Sequence, residues 1–189
     1  ASPSVDQIVS AIKNGNNGNG VLCVLGNYGG DVMNFEMACE IVKSEGIETK
    51  MIIVSDDIAS ASNEDKLKRR GIAGLIFAFK IAGASSENGA SLEEVYDLTL
   101  KANNNLRTIG VAVSSCILPE VGKPTFELEN DEIEIGMGIH GEPGIKREKL
   151  RKADLLVDDL CKIIFEDFEL SNNDKVSIMI NSLGATPLE

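Results

Sequence analysis

The sequence contains no tryptophan, a single histidine and only 4% aromatic residues. Aromatic rings are the platforms on which single-stranded nucleic acids stack, so a base-stacking function is not indicated. Basic residues are also few, because 18 lysines and arginines stand against 30 acidic residues and the net charge is −12. Such a chain repels phosphate backbones, and its one basic cluster, at 66–70, is too short to reverse this. We predict no direct nucleic-acid partner.

Long apolar runs and paired cysteines are absent as well. No run approaches the roughly 18–20 residues that a membrane span needs, so no membrane partner is predicted. Residues 1–12 show no secretory signal, and we expect a cytoplasmic protein. The single histidine and the lack of ligand spacing argue against a metal site. We expect reduced thiols, three of them core fillers, at the four scattered positions Cys23, Cys39, Cys116 and Cys161.

Strand and helix signals alternate through the first half of the chain. Short apolar runs predict buried strands, apolar positions three and four residues apart predict helices, and Ser91 with Glu94 indicates a capping box. The βαβα order is typical of a parallel sheet in the α/β class. The predicted elements are a strand at 21–25, a loop at 27–31, a helix at 32–44, a strand at 51–54, a buried helix at 70–85 and a helix at 91–106.

The second half mixes extended segments with one amphipathic helix. We therefore expect a parallel N-terminal α/β unit, forming an incomplete domain over residues 1–107, and a second, mixed α/β domain over 108–189. Both ends of the chain look cut, so we expect a truncated sequence. The predicted elements here are a strand at 108–116, a hairpin at 125–140, a helix at 149–168 and a last strand at 176–180.

A glycine-containing loop from Gly26 to Asp31 follows the first strand. Loops at the carboxyl ends of strands bind ligands in open α/β sheets, and a carboxylate at Asp31 could accept hydrogen bonds from a polyol. A plain helix N-cap with turn glycines explains the same residues. A dinucleotide site is the weaker alternative, since the loop does not fit G-x-G-x-x-G and an acid at a helix start repels a pyrophosphate.

The only histidine lies near the end of a predicted strand. Alternation over 133–140 places the apolar odd-numbered residues on one face and Glu134, Gly136, Gly138 and His140 on the other. The two glycines would clear space beside the imidazole. A neutral imidazole can act as a nucleophile toward a carbonyl, as a general base or as a hydrogen-bond donor. A hydrogen-bonded surface histidine is the simpler alternative.

Two acids, Asp56 and Asp57, follow the second strand. They could bind a metal or cap the next helix, and we favour capping or another structural use. Arg69 and Arg70 open the following helix, where cations oppose the helix dipole, so we expect them to pair with one of these acids.

Five segments resemble the substrate-binding subunit or domain of the dihydroxyacetone kinase family. Residues 27–35 (NYGGDVMNF) are similar to its N-Y-T-G-D-x-x-N-F signature, and residues 134–144 (EIGMGIHGEPG) are similar to its histidine motif. The resemblance covers essentially the whole chain. The remaining segments are 69–74 (RRGIAG), 80–84 (KIAGA) and 106–112 (LRTIGVA).

The resemblance implies a two-domain α/β protein, usually a homodimer, that binds dihydroxyacetone and presents it for phosphorylation to glycerone phosphate. It implies that His140 forms a covalent hemiaminal with the ketone, and that Asp31 contacts a substrate hydroxyl and helps to move its proton. These two are the predicted catalytic residues. Ser2, which precedes a proline as in the family, and Gly26 complete the predicted substrate-binding set. The role of Glu142 is left open.

The resemblance also implies a kinase of glycerol metabolism or the phosphotransferase system that binds no cofactor directly. ATP, or ADP as phosphoryl carrier, would be held by a separate DhaL-like subunit or a further domain. Two departures matter: Gly26 stands where the family generally carries a lysine, and the family's upstream histidine loop is not found. The second departure means either that the sequence is part of a longer protein or that this machinery is missing. Gly26 favours the alternative of a non-catalytic paralogue that binds the ketone and regulates transcription. A nucleotide-binding module is a weaker third hypothesis.

Overall fold

The computed structural model of the chain describes residues 2–115, 117, 122–124 and 126–182. These residues form two compact units. The first comprises the described parts of 1–56 and 66–106, and the second comprises the described parts of 57–65 and 107–189. The mixed α/β class predicted from the sequence is confirmed. The domain boundary at residue 107 stays a prediction, and the second unit additionally contains the segment 57–65.

The first unit is built around a parallel pair of strands with helices on both faces. β1 and β2 pair in register from Val21 with Thr49 to Gly26 with Val54. Alternate residues of β1 pack into two different clusters, Cys23 with α1 and α2, and Val24 with α3 and α4. The elements are α1 (Val5–Gly15), β1 (Val21–Gly26), α2 (Gly29–Ser44), β2 (Thr49–Val54), α3 (Leu75–Glu87) and α4 (Leu92–Asn104).

Two helices of this unit begin at reciprocal capping boxes. At α4, the Ser91 hydroxyl accepts from the Glu94 backbone N–H, and the Glu94 carboxylate accepts from the Ser91 N–H at 2.8 Å, as predicted. Ser4 and Gln7 form the same motif at α1. Each box satisfies backbone donors that the first helical turn leaves without intrahelical partners.

The buried helix predicted at 70–85 is wrong in its start and in its burial. α3 begins at Leu75, and Ile76 and Phe79 are exposed while Ala78 is fully buried. The residues before Leu75 are held in a non-helical path by hydrogen bonds from their backbone to Asp56, which is 18 residues away from Gly74. Continuous hydrophobicity could not reveal that constraint.

The second unit contains an antiparallel sheet in the order β3–β4–β5. Ile133 and Ile135 of β4 are fully buried, and Thr108 makes a bridge to Asp57. The elements are β3 (Val111–Ala112), β4 (Glu132–Ile135), β5 (Lys146–Lys149) and α5 (Ala153–Asp167). No helix in the described part of the chain is long and apolar enough to span a membrane.

Four predictions for this half need correction. The predicted hairpin at 125–140 is wrong, because β4 pairs with β3 and β5; its Thr125 lies outside the described residues. The strand predicted at 108–116 is reduced to Val111–Ala112, and Cys116 also lies outside the described residues. The helix predicted from Lys149 begins at Ala153, because residues 146–149 join the sheet. Residues 176–180, all described, form no strand and are mostly exposed.

Candidate functional site

The loop after β1 is tied to its neighbours through Asn27. The Asn27 side chain donates from Nδ2 to the carbonyl oxygens of Leu67 and Arg69, at 2.9 and 2.8 Å, and its backbone N–H donates to Val54 at 3.1 Å. One asparagine therefore holds the carboxyl ends of both parallel strands and the segment that leads into α3. Nothing in the sequence pattern indicated this role, although Asn27 stands in the motif that carries the resemblance.

Glycines allow the backbone to pass very close to the end of β1. A Cβ atom on Gly71 would collide with the carbonyl oxygen of Val54 and lie 2.6 Å from the Gly26 Cα. Gly26 is itself buried, and a Cβ there would lie 3.2 Å from both the Gly71 oxygen and the Tyr28 ring. At both positions, therefore, two backbone segments pack closely together beneath the loop from Gly26 to Asp31.

The two acids after β2 have structural contacts. Asp56 is completely buried and accepts hydrogen bonds from the backbone N–H groups of Ile72 and Gly74, at 2.9 and 2.8 Å. Asp57 accepts from the Ala59 N–H at 3.1 Å. These contacts are structural, but they do not cap a helix, because α3 begins after Gly74 without a side-chain cap and the Asp57 contact joins residues only two positions apart. Within the described residues, no group of three or more potential metal ligands occurs. The ion pair expected for Arg69 and Arg70 stays a prediction.

Asp31 lies in the first turn of α2, beside the start of the chain. The helix begins at Gly29 with Tyr28 as its N-cap residue, so the N-cap interpretation of Asp31 is wrong. A Cβ on Gly30 would lie 2.7 Å from the Ser2 Oγ, and Asn34 donates to the Pro3 carbonyl at 2.8 Å. The structure therefore brings Ser2 against the loop that runs from Gly26 to Asp31.

His140 occupies a turn rather than a strand, so the predicted alternation through residue 140 is wrong. β4 ends at Ile135, and Gly136 adopts a φ of +80°, which redirects the chain. Nor is Glu134 on an open face: it is 3% exposed and accepts from the Gly144 N–H at 2.6 Å and the Arg147 Nε at 2.7 Å. The histidine side chain is 61% exposed. The space beside the imidazole comes from this turn and not from glycines on a strand face.

Glu142 contacts the histidine twice. Its Oε1 lies 3.1 Å from the His140 Nδ1, and its Oε2 accepts from the His140 backbone N–H at 2.9 Å. Burial opposes ionisation of the Glu142 carboxyl, but hydrogen bonds from the backbone of Glu142 and from His140 outweigh it and lower its pKa. The sequence alone assigned Glu142 no role, although an acid two residues after the histidine, between a glycine and a proline, was a signal that could have indicated one.

Of the four predicted site residues, three lie in the first unit and one in the second. Ser2, Gly26 and Asp31 gather at the carboxyl end of β1, and His140 belongs to the second unit. The first group offers a carboxylate, a hydroxyl and closely approachable glycine backbone. The histidine offers an exposed imidazole. The helices on both faces of the parallel strand pair define an α/β protein whose first unit carries this loop at the carboxyl end of β1.

The chain belongs to the Dak1 domain family, whose match covers residues 1–189. It is 48% identical over 187 residues to the dihydroxyacetone-binding subunit DhaK of a PTS-dependent dihydroxyacetone kinase from Listeria innocua. That match covers 99% of this chain and 57% of the relative, so the chain spans little more than half of the relative's length.

Two solved structures extend the comparison. The native dihydroxyacetone kinase of C. freundii matches with a TM-score of 0.81 and 37% identity, over 88% of this chain and 30% of that one. A dihydroxyacetone kinase operon co-activator, Dha-DhaQ, matches with a TM-score of 0.80 and 32% identity, over 87% of this chain and 50% of that one. The family therefore includes structures described as a kinase and as a co-activator, and the fold alone does not separate them.

Proposed function

We propose that this chain binds dihydroxyacetone covalently through His140 and presents it for phosphorylation to glycerone phosphate. The observation that carries the proposal is the exposed His140 ring, held by Glu142 in a turn within a chain of the Dak1 family. A triose offers little surface for non-covalent affinity. A reversible bond supplies both selection for a carbonyl and orientation of the hydroxyl that reacts.

The proposed bond forms between the imidazole and the substrate carbonyl. The Nε2 lone pair of His140 attacks the carbonyl carbon, and the π electrons of the C=O bond move to its oxygen. That oxygen takes a proton from water and becomes the hydroxyl of a hemiaminal, the attacked ring becomes a positively charged imidazolium, and the hydroxide released is neutralised by the solvent buffer. Glycerol has no carbonyl and cannot form this bond, so the chemistry separates the ketone from its reduced counterpart.

Asp31 is the proposed general base for the transfer step. Its carboxylate, in the first turn of α2, accepts a hydrogen bond from a substrate hydroxyl and takes the proton as the new phosphorus–oxygen bond forms. Ser2 and the Gly26 backbone border the same loop and would contact the triose. The phosphoryl donor, ATP or a phosphorylated ADP carrier, is held by a DhaL-like partner subunit or domain, and the binding chain forms a homodimer.

Covalent capture is tested by native mass spectrometry of the purified chain with dihydroxyacetone. We expect a mass increase of one triose, no increase with glycerol, and no increase for His140→Ala. Asp31→Asn serves as the matched variant, because it should keep the adduct while abolishing phosphoryl transfer with a partner subunit. Equal retention of the triose by His140→Ala would remove His140 from the proposed role.

A ligand-binding co-activator is the second candidate function. It is favoured by Gly26, which stands where the family generally carries a lysine, and by the similarity to the operon co-activator. Loss of that cation would weaken stabilisation of a transferring phosphoryl group. Incubation of the adduct with a purified phosphoryl-donor subunit separates the two candidates: glycerone phosphate supports the kinase, and adduct without product supports the co-activator.

A further inference from the structure

We propose that Glu142 is a positioning residue that holds the His140 ring with its proton on Nδ1, so that Nε2 presents a lone pair. The inference rests on the proposed function, since it explains how one particular ring nitrogen becomes the nucleophile. Glu142 is not proposed to touch the substrate.

The Glu142 carboxylate contacts His140 at two points, one on the backbone and one on the ring. Oε2 accepts from the backbone N–H of His140 at 2.9 Å, and Oε1 lies 3.1 Å from the ring Nδ1. The backbone contact fixes where the carboxylate lies, and the ring contact then fixes the rotation of the imidazole. Two different hydrogen bonds to the same residue restrict the ring more than one contact would.

The turn around the histidine folds Glu142 back onto it. The Gly141 N–H donates to Gly138 at 3.0 Å, the Gly138 N–H donates to the Glu142 carbonyl at 3.0 Å, and Gly141 adopts a φ of +85°. Gly144 packs so closely on β4 that a Cβ there would collide with the Ile135 carbonyl. The turn is thereby anchored to the buried strand, and the carboxylate returns to the ring only two residues after it.

The chemistry of the acceptor then selects the tautomer. Hydrogen bonds hold the Glu142 carboxyl in its ionised form, and an ionised carboxylate can only accept hydrogen bonds. The contact therefore requires a proton on Nδ1, so in the neutral imidazole tautomer the lone pair lies on Nε2, the nitrogen proposed to attack the carbonyl. After attack the ring carries positive charge and retains its Nδ1–H, so the same contact becomes a charge-assisted hydrogen bond in the adduct.

Nuclear magnetic resonance tests the tautomer without any substrate, because the chain has one histidine. Long-range ¹H–¹⁵N spectra at pH 8 should show His140 in the Nδ1–H form. In Glu142→Ala the population should move toward the Nε2–H form, which a free imidazole favours. Glu142→Gln should largely retain the Nδ1–H form, since its amide oxygen still accepts. The exposed Glu129→Ala serves as the matched control and should change nothing.

Adduct formation supplies the second measurement. We expect Glu142→Ala to weaken triose retention about tenfold, and Glu142→Gln to weaken it less. An Nε2–H ring in the parent chain, or a tautomer that is unchanged in Glu142→Ala, would overturn the positioning role. The two proposals can be contradicted separately. If the unsubstituted chain forms no adduct, the proposed function is wrong. The tautomer measurement tests the role of Glu142 whether or not the adduct forms.

Discussion

At the scale of single residues, Cys23 shows how burial changes chemistry. Its side chain is 5% exposed, and its Sγ lies 4.0 Å from that of Cys39, within a cluster formed by β1, α1 and α2. Removal from water, reinforced by the neighbouring thiol, raises the pKa of the Cys23 thiol from 9.0 to about 12. None of Cys23, Cys39 and Cys161 forms a disulfide in the described part of the chain, and the reduced state of the cysteines stays a prediction.

The raised pKa of Cys23 predicts a pH dependence of stability. Between pH 9 and 12 the unfolded thiol is ionised while the folded one keeps its proton, so the free energy of unfolding falls as the pH rises. The contribution is fully present below pH 9 and is lost at up to about 1.4 kcal/mol per pH unit above it. Urea unfolding at pH 8, 9 and 10 measures this slope.

The slope should become shallower in Cys23→Ala and remain in Cys161→Ala, which is the matched control. An equally steep decline in the variant without the Cys23 thiol would show that other groups cause it.

At the scale of elements, the packing beneath the loop from Gly26 to Asp31 depends on the close backbone approach at Gly71. Gly71 passes between the ends of β1 and β2, where a side chain would collide with backbone and not with a movable side-chain tip. This close approach sets the path into α3, together with Asp56. The element boundaries next to the candidate site are therefore set by contacts between segments far apart in sequence.

Gly71→Ala should destabilise the protein by about 1–3 kcal/mol, because its Cβ overlaps the Val54 carbonyl and the Gly26 backbone. Gly83→Ala is the matched control: it lies inside α3 with open space around it and should stabilise by about 0.5–1 kcal/mol. Chemical denaturation of both variants gives the comparison. Equal effects of the two substitutions would contradict the packing argument.

At the scale of the whole molecule, each unit is held together by contacts between residues that are far apart in the sequence. In the second unit the Arg107 Nε contacts the Asp167 Oδ1 at 2.5 Å, with side chains only 12% and 13% exposed. The same guanidinium lies 4.8 Å from the centre of the Phe168 ring. The pair therefore joins Arg107, the first residue of the 107–189 segment of this unit, to Asp167, the last residue of α5.

Asp167→Ala should lower the free energy of unfolding by about 3 kcal/mol, because it removes a partner from a largely buried guanidinium. Lys162→Ala removes an exposed ion pair with Asp159 and should cost less than about 1 kcal/mol. Thermal and urea unfolding of the two variants measure the difference. Similar costs would show that the Arg107 pair is as well solvated as the surface pair.

The sequence by itself determined the α/β class, the parallel order of the first unit, the Ser91 capping box and the family motifs. These signals depend on residues within a few positions of one another, so local propensity and spacing suffice to predict them. Only the tertiary structure decided where α3 starts, where β4 ends and how Glu142 returns to the His140 ring. The start of α3 depends on hydrogen bonds to Asp56 from residues 16 and 18 positions away. The end of β4 and the turn that returns Glu142 to His140 depend on positive φ values at Gly136 and Gly141, which no hydrophobic period encodes.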